Sequence, residues 1–163
     1  MNKTEKTIAL SLVAVIVILT AVLFLRPDPP PEVVVGEFTP PAFESAARSG
    51  APDTSSVADF GTLHLAPDLA VSLCASPVVE NGQVKIYFTS PATNTGWMRL
   101  QLTDTKGNLL GETGLIRPGE YVEAVDLIAT PKHTRALVRI LTYQPETYYS
   151  MGSANAEIRL NLN

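Results

Sequence analysis

Trp97-Met98-Arg99-Leu100-Gln101-Leu102-Thr103-Asp104-Thr105-Lys106-Gly107-Asn108-Leu109-Leu110 is the stretch from which the fold class is read. Side chains of an extended chain alternate with a period of two, so Met98, Leu100 and Leu102 fall on one side and Trp97, Arg99, Gln101 and Thr103 on the other. Asp104 to Asn108 then supplies the small, polar and glycine residues of a tight hairpin, and Leu109-Leu110 begins the return strand. The pattern recurs upstream, where Leu69, Val71 and Leu73 alternate as far as Pro77. After the turn Glu80-Asn81-Gly82, Val84, Ile86 and Phe88 oppose Lys85, Tyr87 and Thr89. Downstream, Arg117-Pro118-Gly119 turns the chain into Tyr121 to Ile128. Leu137, Arg139, Leu141 and Tyr143 then alternate with Ala136, Val138, Ile140 and Thr142, and Ala156, Ile158, Leu160 and Leu162 close the series. About seven short strands in roughly 95 residues, with little room for helix, predict an all-β fold: a single Ig-like or fibronectin-III-like antiparallel β-sandwich over residues 65–163.

The N-terminal region is of another kind. Ile8 to Leu25 reads IALSLVAVIVILTAVLFL, uncharged throughout and interrupted only by Ser11 and Thr20. At about 1.5 Å per residue it makes a helix of roughly 27 Å, close to the thickness of a bilayer's hydrocarbon core. It has no polar face, which argues against a buried helix of a soluble core. The run is too long for a cleaved signal peptide, and it ends in Leu25-Arg26-Pro27 where small residues would mark a cleavage site. Lys3 and Lys6 precede the span and Arg26 alone follows it before acidic residues. The expected topology is therefore residues 1–7 in the cytoplasm, residues 8–25 in the lipid bilayer as an uncleaved single-pass signal-anchor, and the rest outside the cell membrane.

Between anchor and sandwich, residues 26–64 hold Pro29-Pro30-Pro31, Pro40-Pro41 and a Ser/Ala/Gly-rich stretch from Glu44 to Ser56. Read as polyproline II and coil, this Pro-rich stalk would reach on the order of 120 Å extended or roughly 35 Å as a flexible coil. Its apolar patches are Val33-Val34-Val35, Phe38 and Phe43. Phe60-Gly61-Thr62-Leu63-His64-Leu65 alternates, and whether Val57 to Leu65 adds a strand or stays linker is left open.

Twelve Lys and Arg against 16 Asp and Glu give a net charge of −4. No basic run could follow a phosphate backbone, so nucleic acid is not an expected partner. A lone Cys cannot form an internal disulfide, and Cys74 reads as a small core residue.

The segment from Asn94 to Leu127, with Asp104-Thr105-Lys106-Gly107-Asn108-Leu109-Leu110-Gly111 followed by Ile116-Arg117-Pro118-Gly119, resembles small membrane-anchored Ig-like modules of Gram-positive bacteria. The resemblance implies a β-sandwich displayed in a bacterial cell envelope and transfers no functional residues.

Chemistry is sparse. Neither His64 nor His133 has a Cys, His or carboxylate at metal spacing, and no G-x-S-x-G elbow is present. Glu120, Glu123 and Asp126 fall three apart on a strand and so face opposite sides. In Asp104 to Asn108, Lys106 stands where a calcium loop needs an oxygen ligand. The expectation is no catalytic residue, no metal and no cofactor, hence a protein that is not an enzyme. Recognition is expected from aromatics, namely Trp97 on the polar-facing side of its strand and Tyr148-Tyr149 in the loop Gln144 to Ala154, which could anchor an envelope protein or stack on a cell-wall glycan. The alternative for these residues is structural: Trp97 covering the core and the tyrosines covering an edge.

Overall fold

Alternation produces strands where it predicts them. In the computed structural model, which describes residues 39–162, those residues are all-β and include no helix. Its strands are β1 (Arg48–Ser49), β2 (Phe60–Ala66), β3 (Leu69–Cys74), β4 (Val78–Glu80), β5 (Gln83–Lys85), β6 (Phe88–Thr89) and β7 (Trp97–Asp104). They continue with β8 (Leu109–Glu112), β9 (Glu120–Val122), β10 (Val125–Asp126), β11 (Arg135–Tyr143), β12 (Ser150–Arg159) and β13 (Asn161–Leu162). The expected cytoplasmic segment and anchor, residues 1–25, lie outside the described residues. Among the described residues no helix is long and apolar enough to cross a membrane.

The strands form three hydrogen-bonded sheets, ordered β1-β9-β6-β3-β2, β10-β5-β4-β13 and β12-β11-β7-β8. Strands of the first two follow one another along the chain, β3 before β4, β5 before β6 and β9 before β10. Val84, Ile86 and Phe88 are all fully buried, but Tyr87 takes a left-handed φ of 55° that separates β5 from β6. Pro77, unable to donate to a ladder, separates β3 from β4. The β4–β5 hairpin turns through Asn81 and Gly82, both at positive φ (52° and 75°), the type I′ geometry that suits the twist of two antiparallel strands. Inner faces of all three sheets supply one apolar core, including Val71, Val84, Phe88, Met98, Leu100, Leu102, Val138, Ile140 and Leu160, so the fold is a β-sandwich. Truncating a buried Leu or Met here costs about 2–5 kcal/mol by the usual scale of core deletions.

The N-terminal boundary differs from the sequence reading. The compact unit runs from Thr39 to the C-terminus, so the boundary expected at Leu65 falls inside β2. The open question about Val57 to Leu65 resolves as a strand, because β2 pairs with β3 from Phe60↔Cys74 to Ala66↔Leu69. Residues 39–49, read as stalk, also belong to the sandwich. Glu44 N–H donates to the Leu115 carbonyl and Leu115 N–H to the Ala42 carbonyl, both at 2.9 Å, and Arg48 then pairs with Tyr121 in the other sheet. Proline count and small residues hid these contacts because short edge pairings need no long alternating run.

Candidate functional site

The aromatic end of the sandwich is built from the start of β7. Asn94 sets that start, and it is buried with its polar atoms satisfied. Its Oδ1 accepts the Ala70 N–H at 2.8 Å, and its Nδ2 donates to the Ala70 carbonyl at 2.8 Å and the Ser90 hydroxyl at 2.9 Å. The loop before β7 is thereby fastened to β3. Two residues on, Gly96 leaves no room for a side chain, since a Cβ there would stand 2.9 Å from the Met151 sulfur and 3.1 Å from the Tyr143 carbonyl. Trp97 follows on the outer face, opposite Tyr143 of β11.

Trp97 is half-buried and engaged by rings on two sides. Phe43 meets it edge-on at 4.8 Å and 75°, and Tyr148 at 5.2 Å and 65°. The Arg117 guanidinium carbon lies 3.7 Å from the Phe43 ring centroid, a cation–π contact that closes the row. Aromatic pairs at such geometry contribute about 0.5–1.5 kcal/mol each beyond the area they bury. The structure thus brings Trp97 and Tyr148 together and adds Phe43 and Arg117, which sequence reasoning did not place here. The one available signal was Phe43 itself, an aromatic two residues after Pro41.

Tyr149 stands apart. The loop holding it is closed by the Gln144 N–H on the Tyr149 carbonyl at 2.8 Å and the Tyr148 N–H on the Gln144 carbonyl at 3.0 Å. Glu146 and Tyr148 both adopt left-handed φ, 65° and 58°, an unfavourable conformation for non-glycine residues. The loop is therefore held in shape, and its closing residue Tyr149 has 72% of its surface in solvent.

The remaining polar groups are distributed rather than convergent. Glu120 accepts from the Arg117 N–H at 2.7 Å, Glu123 pairs with Arg48 at 2.7 Å, and Asp126 accepts from Gln83 at 2.7 Å, so the three carboxylates have three separate partners. His64 and His133 are exposed. Asp104 accepts the Lys106 and Asn108 N–H groups at 2.8 Å and the Asn108 amide at 2.8 Å, which uses its oxygens to hold the hairpin turn. These bonds, the Asn108 amide foremost, keep its carboxyl below the usual carboxylate range. Cys74 is buried, its Sγ 3.2 Å from the Ala58 carbonyl it donates to, and burial pushes the thiol up, away from the reactive thiolate. Among the described residues no three His, Cys, Asp or Glu side chains gather as a metal site.

No family model and no curated protein matches this chain. Among solved structures it is similar to CopC from Methylosinus trichosporium OB3b, at 15% identity over 55% of this chain and 86% of that one, with a TM-score of 0.34. A likeness of that size carries no argument about activity.

Proposed function

We propose that this chain is a membrane-tethered, non-enzymatic interaction module of a bacterial cell envelope. In this reading residues 8–25 anchor it in the bilayer, residues 26–38 form the spacer, and an Ig-like or fibronectin-III-like sandwich stands outside the cytoplasm. The observation that supports the reading best is Tyr149, a largely exposed aromatic on a loop that hydrogen bonds and the edge-on Trp97–Tyr148 contact hold in shape. A preordered aromatic is a favourable anchor for a protein partner, since little side-chain freedom is lost when it docks. A cell-wall glycan reading fits less well. Sugars stack on open ring faces, and Trp97 is half-buried with its neighbours already against it.

Affinity capture with the full chain from solubilised membranes tests this reading. A specific envelope protein should be retained by the wild type and retained less by Tyr149→Ala. Retention of purified cell wall with no protein would favour the glycan reading. For topology, protease added to spheroplasts should digest the sandwich, and complete protection would reverse the orientation.

A further inference from the structure

The sheet ordered β12-β11-β7-β8 ends at β12. β12 is the longest strand, and among the described strands it pairs only with β11. The Arg159 N–H points away from β11 and donates to the Ala75 carbonyl at 2.9 Å, whereas the Leu160 N–H points the other way, to the Thr134 carbonyl at 2.6 Å. By the alternation of an antiparallel ladder, the N–H and C=O groups of Ser153, Asn155 and Glu157 also face outward. Natural edges of this length are usually blunted by lysine, proline or a strong bulge. Met151 to Ala156 has neither lysine nor proline, and its one register shift, at Met151, leaves the ladder regular from Gly152 to Arg159.

A cleft of about 130 Å³ runs beside this edge, lined by Leu65, Ala66 and Leu69 from one sheet and by Thr142, Met151 and Ala154 from the other. Ala154 and Ala156 lie on the inner side of β12 but are only half-buried, while Val138 and Ile140 beside them on β11 are fully buried. An apolar shelf is therefore uncovered next to an unpaired backbone. The outer side of the same strands is basic. Register places Arg99, Arg135, Arg139 and Arg159 on one face together with Glu112 and Glu157. Glu112 is taken by Arg99 and Glu157 by Arg135, which leaves Arg139 and Arg159 without an ion-pair partner among the described residues.

We infer that β12 accepts an extended peptide strand from a partner protein, one in which apolar residues alternate with carboxylates. This rests on the reading of the chain as a protein-binding module and names the surface the partner meets. An added strand would pair its backbone with Ser153, Asn155 and Glu157, and a side chain on its inner side would enter the Leu65–Leu69–Met151 cleft. Its outer side chains would lie beside Ser153, Asn155 and Glu157, with Arg159 following Glu157 on the same face. Arg139, opposite the short Asn155, is two strand spacings away, about 10 Å, a gap that an arginine and a glutamate close together. Charge selects the occupant: a basic strand would meet two uncompensated guanidinium groups.

The test is amide NMR of the full chain in detergent micelles, titrated with a capped peptide alternating glutamate and valine or with its lysine and valine counterpart. The acidic peptide should shift the amides of Ser153, Asn155 and Glu157 and bind at least tenfold more tightly than the basic one. Asn155→Pro removes an outward N–H that no neighbouring strand uses, so it should abolish binding with the rest of the spectrum unchanged, and Asn155→Ala should retain it. Arg139→Glu with Arg159→Glu should reverse the preference between peptides. Absence of binding, equal binding of both peptides, or shifts confined to Gln144 to Tyr149 would overturn the inference, as would a dimer that protects the β12 amides. The protein-binding reading is judged separately. If membranes yield a partner that Asn155→Pro still captures, the edge fails and that reading stands, and if the wild type captures none, that reading fails.

Discussion

Phe43 and Trp97 meet edge-on at 4.8 Å, a residue from the proline-rich N-terminal region against one at the start of a central strand. This contact moves the start of the folded unit. A fragment beginning at Leu65 would lack Phe43, the Glu44 pairing with Leu115, β1 and most of β2, leaving β3 as the sheet edge and Trp97 uncovered on its Phe43 side. It should aggregate or fail to show a cooperative transition, whereas a fragment from Thr39 should unfold cooperatively in urea. Within the full fold, Phe43→Ala should cost about 1–3 kcal/mol, from lost burial and the lost ring contact. Fluorescence of Trp97, the chain's 1 tryptophan, reports both. Wild-type stability for the fragment from Leu65 would show that the N-terminal contacts are dispensable.

Gly114 explains how that region is held so closely. A Cβ at this position would stand 2.6 Å from the Glu44 nitrogen and 2.8 Å from the Ala42 oxygen, backbone atoms that cannot rotate aside. The Gly114 N–H also donates to the Glu44 carboxylate at 2.7 Å. Gly114→Ala should destabilise by about 1–3 kcal/mol through overpacking. Amide exchange should rise at Glu44 and Leu115 before it rises in the β7–β11 ladder. Uniform loss of protection instead would mean that the contact is part of the global core.

Asp104 gives the hairpin a pH signature. Hydrogen bonds from the Asn108 side chain and N–H, with the Lys106 N–H, hold its carboxyl below the usual value. A group whose folded pKa is depressed stabilises the fold above its unfolded pKa, near 4, and that stability is lost as pH falls through the folded value. Asp104→Asn keeps an acceptor but removes the charge. Its melting temperature should lie below wild type at pH 7, and the gap should close as pH falls through the lowered folded value. A gap independent of pH would assign the effect to turn geometry alone. Glu80 and Glu157, lowered mainly by hydrogen bonds from Lys85 and Arg135, titrate in the same direction, so Asp104 must be isolated by difference.

What was legible in the sequence was whatever a period of two could encode. Met98, Leu100 and Leu102 on β7 and Ala136, Val138 and Ile140 on β11 are buried as their alternation requires, and the Asp104–Asn108 turn forms between β7 and β8. What was not legible depended on single contacts across the chain. Phe43 makes an isolated parallel bridge with Leu115, a pairing too short to leave a pattern. The kinks at Tyr87 and Pro77 are local departures inside otherwise regular runs. The two adjacent tyrosines share a composition signal but not an environment, because only Tyr148 packs back onto Trp97.

That difference between neighbours separates a structural tyrosine from a recognition tyrosine. Tyr148 is half-buried and packed edge-on against Trp97, so Tyr148→Ala should destabilise by about 1 kcal/mol or more and alter Trp97 fluorescence. Tyr149 has 72% of its surface exposed, and its contribution to the loop comes from its backbone carbonyl, which an alanine retains. Tyr149→Ala should therefore leave stability within about 0.5 kcal/mol of wild type, as exposed substitutions usually do. If Tyr149 anchors a partner, the same change should weaken capture by about 1 kcal/mol or more, roughly fivefold in affinity. Capture that is unaffected by Tyr149→Ala would remove Tyr149 from the binding surface. Loss of stability on Tyr149→Ala would instead mean that the ring packs where the described geometry leaves it in solvent.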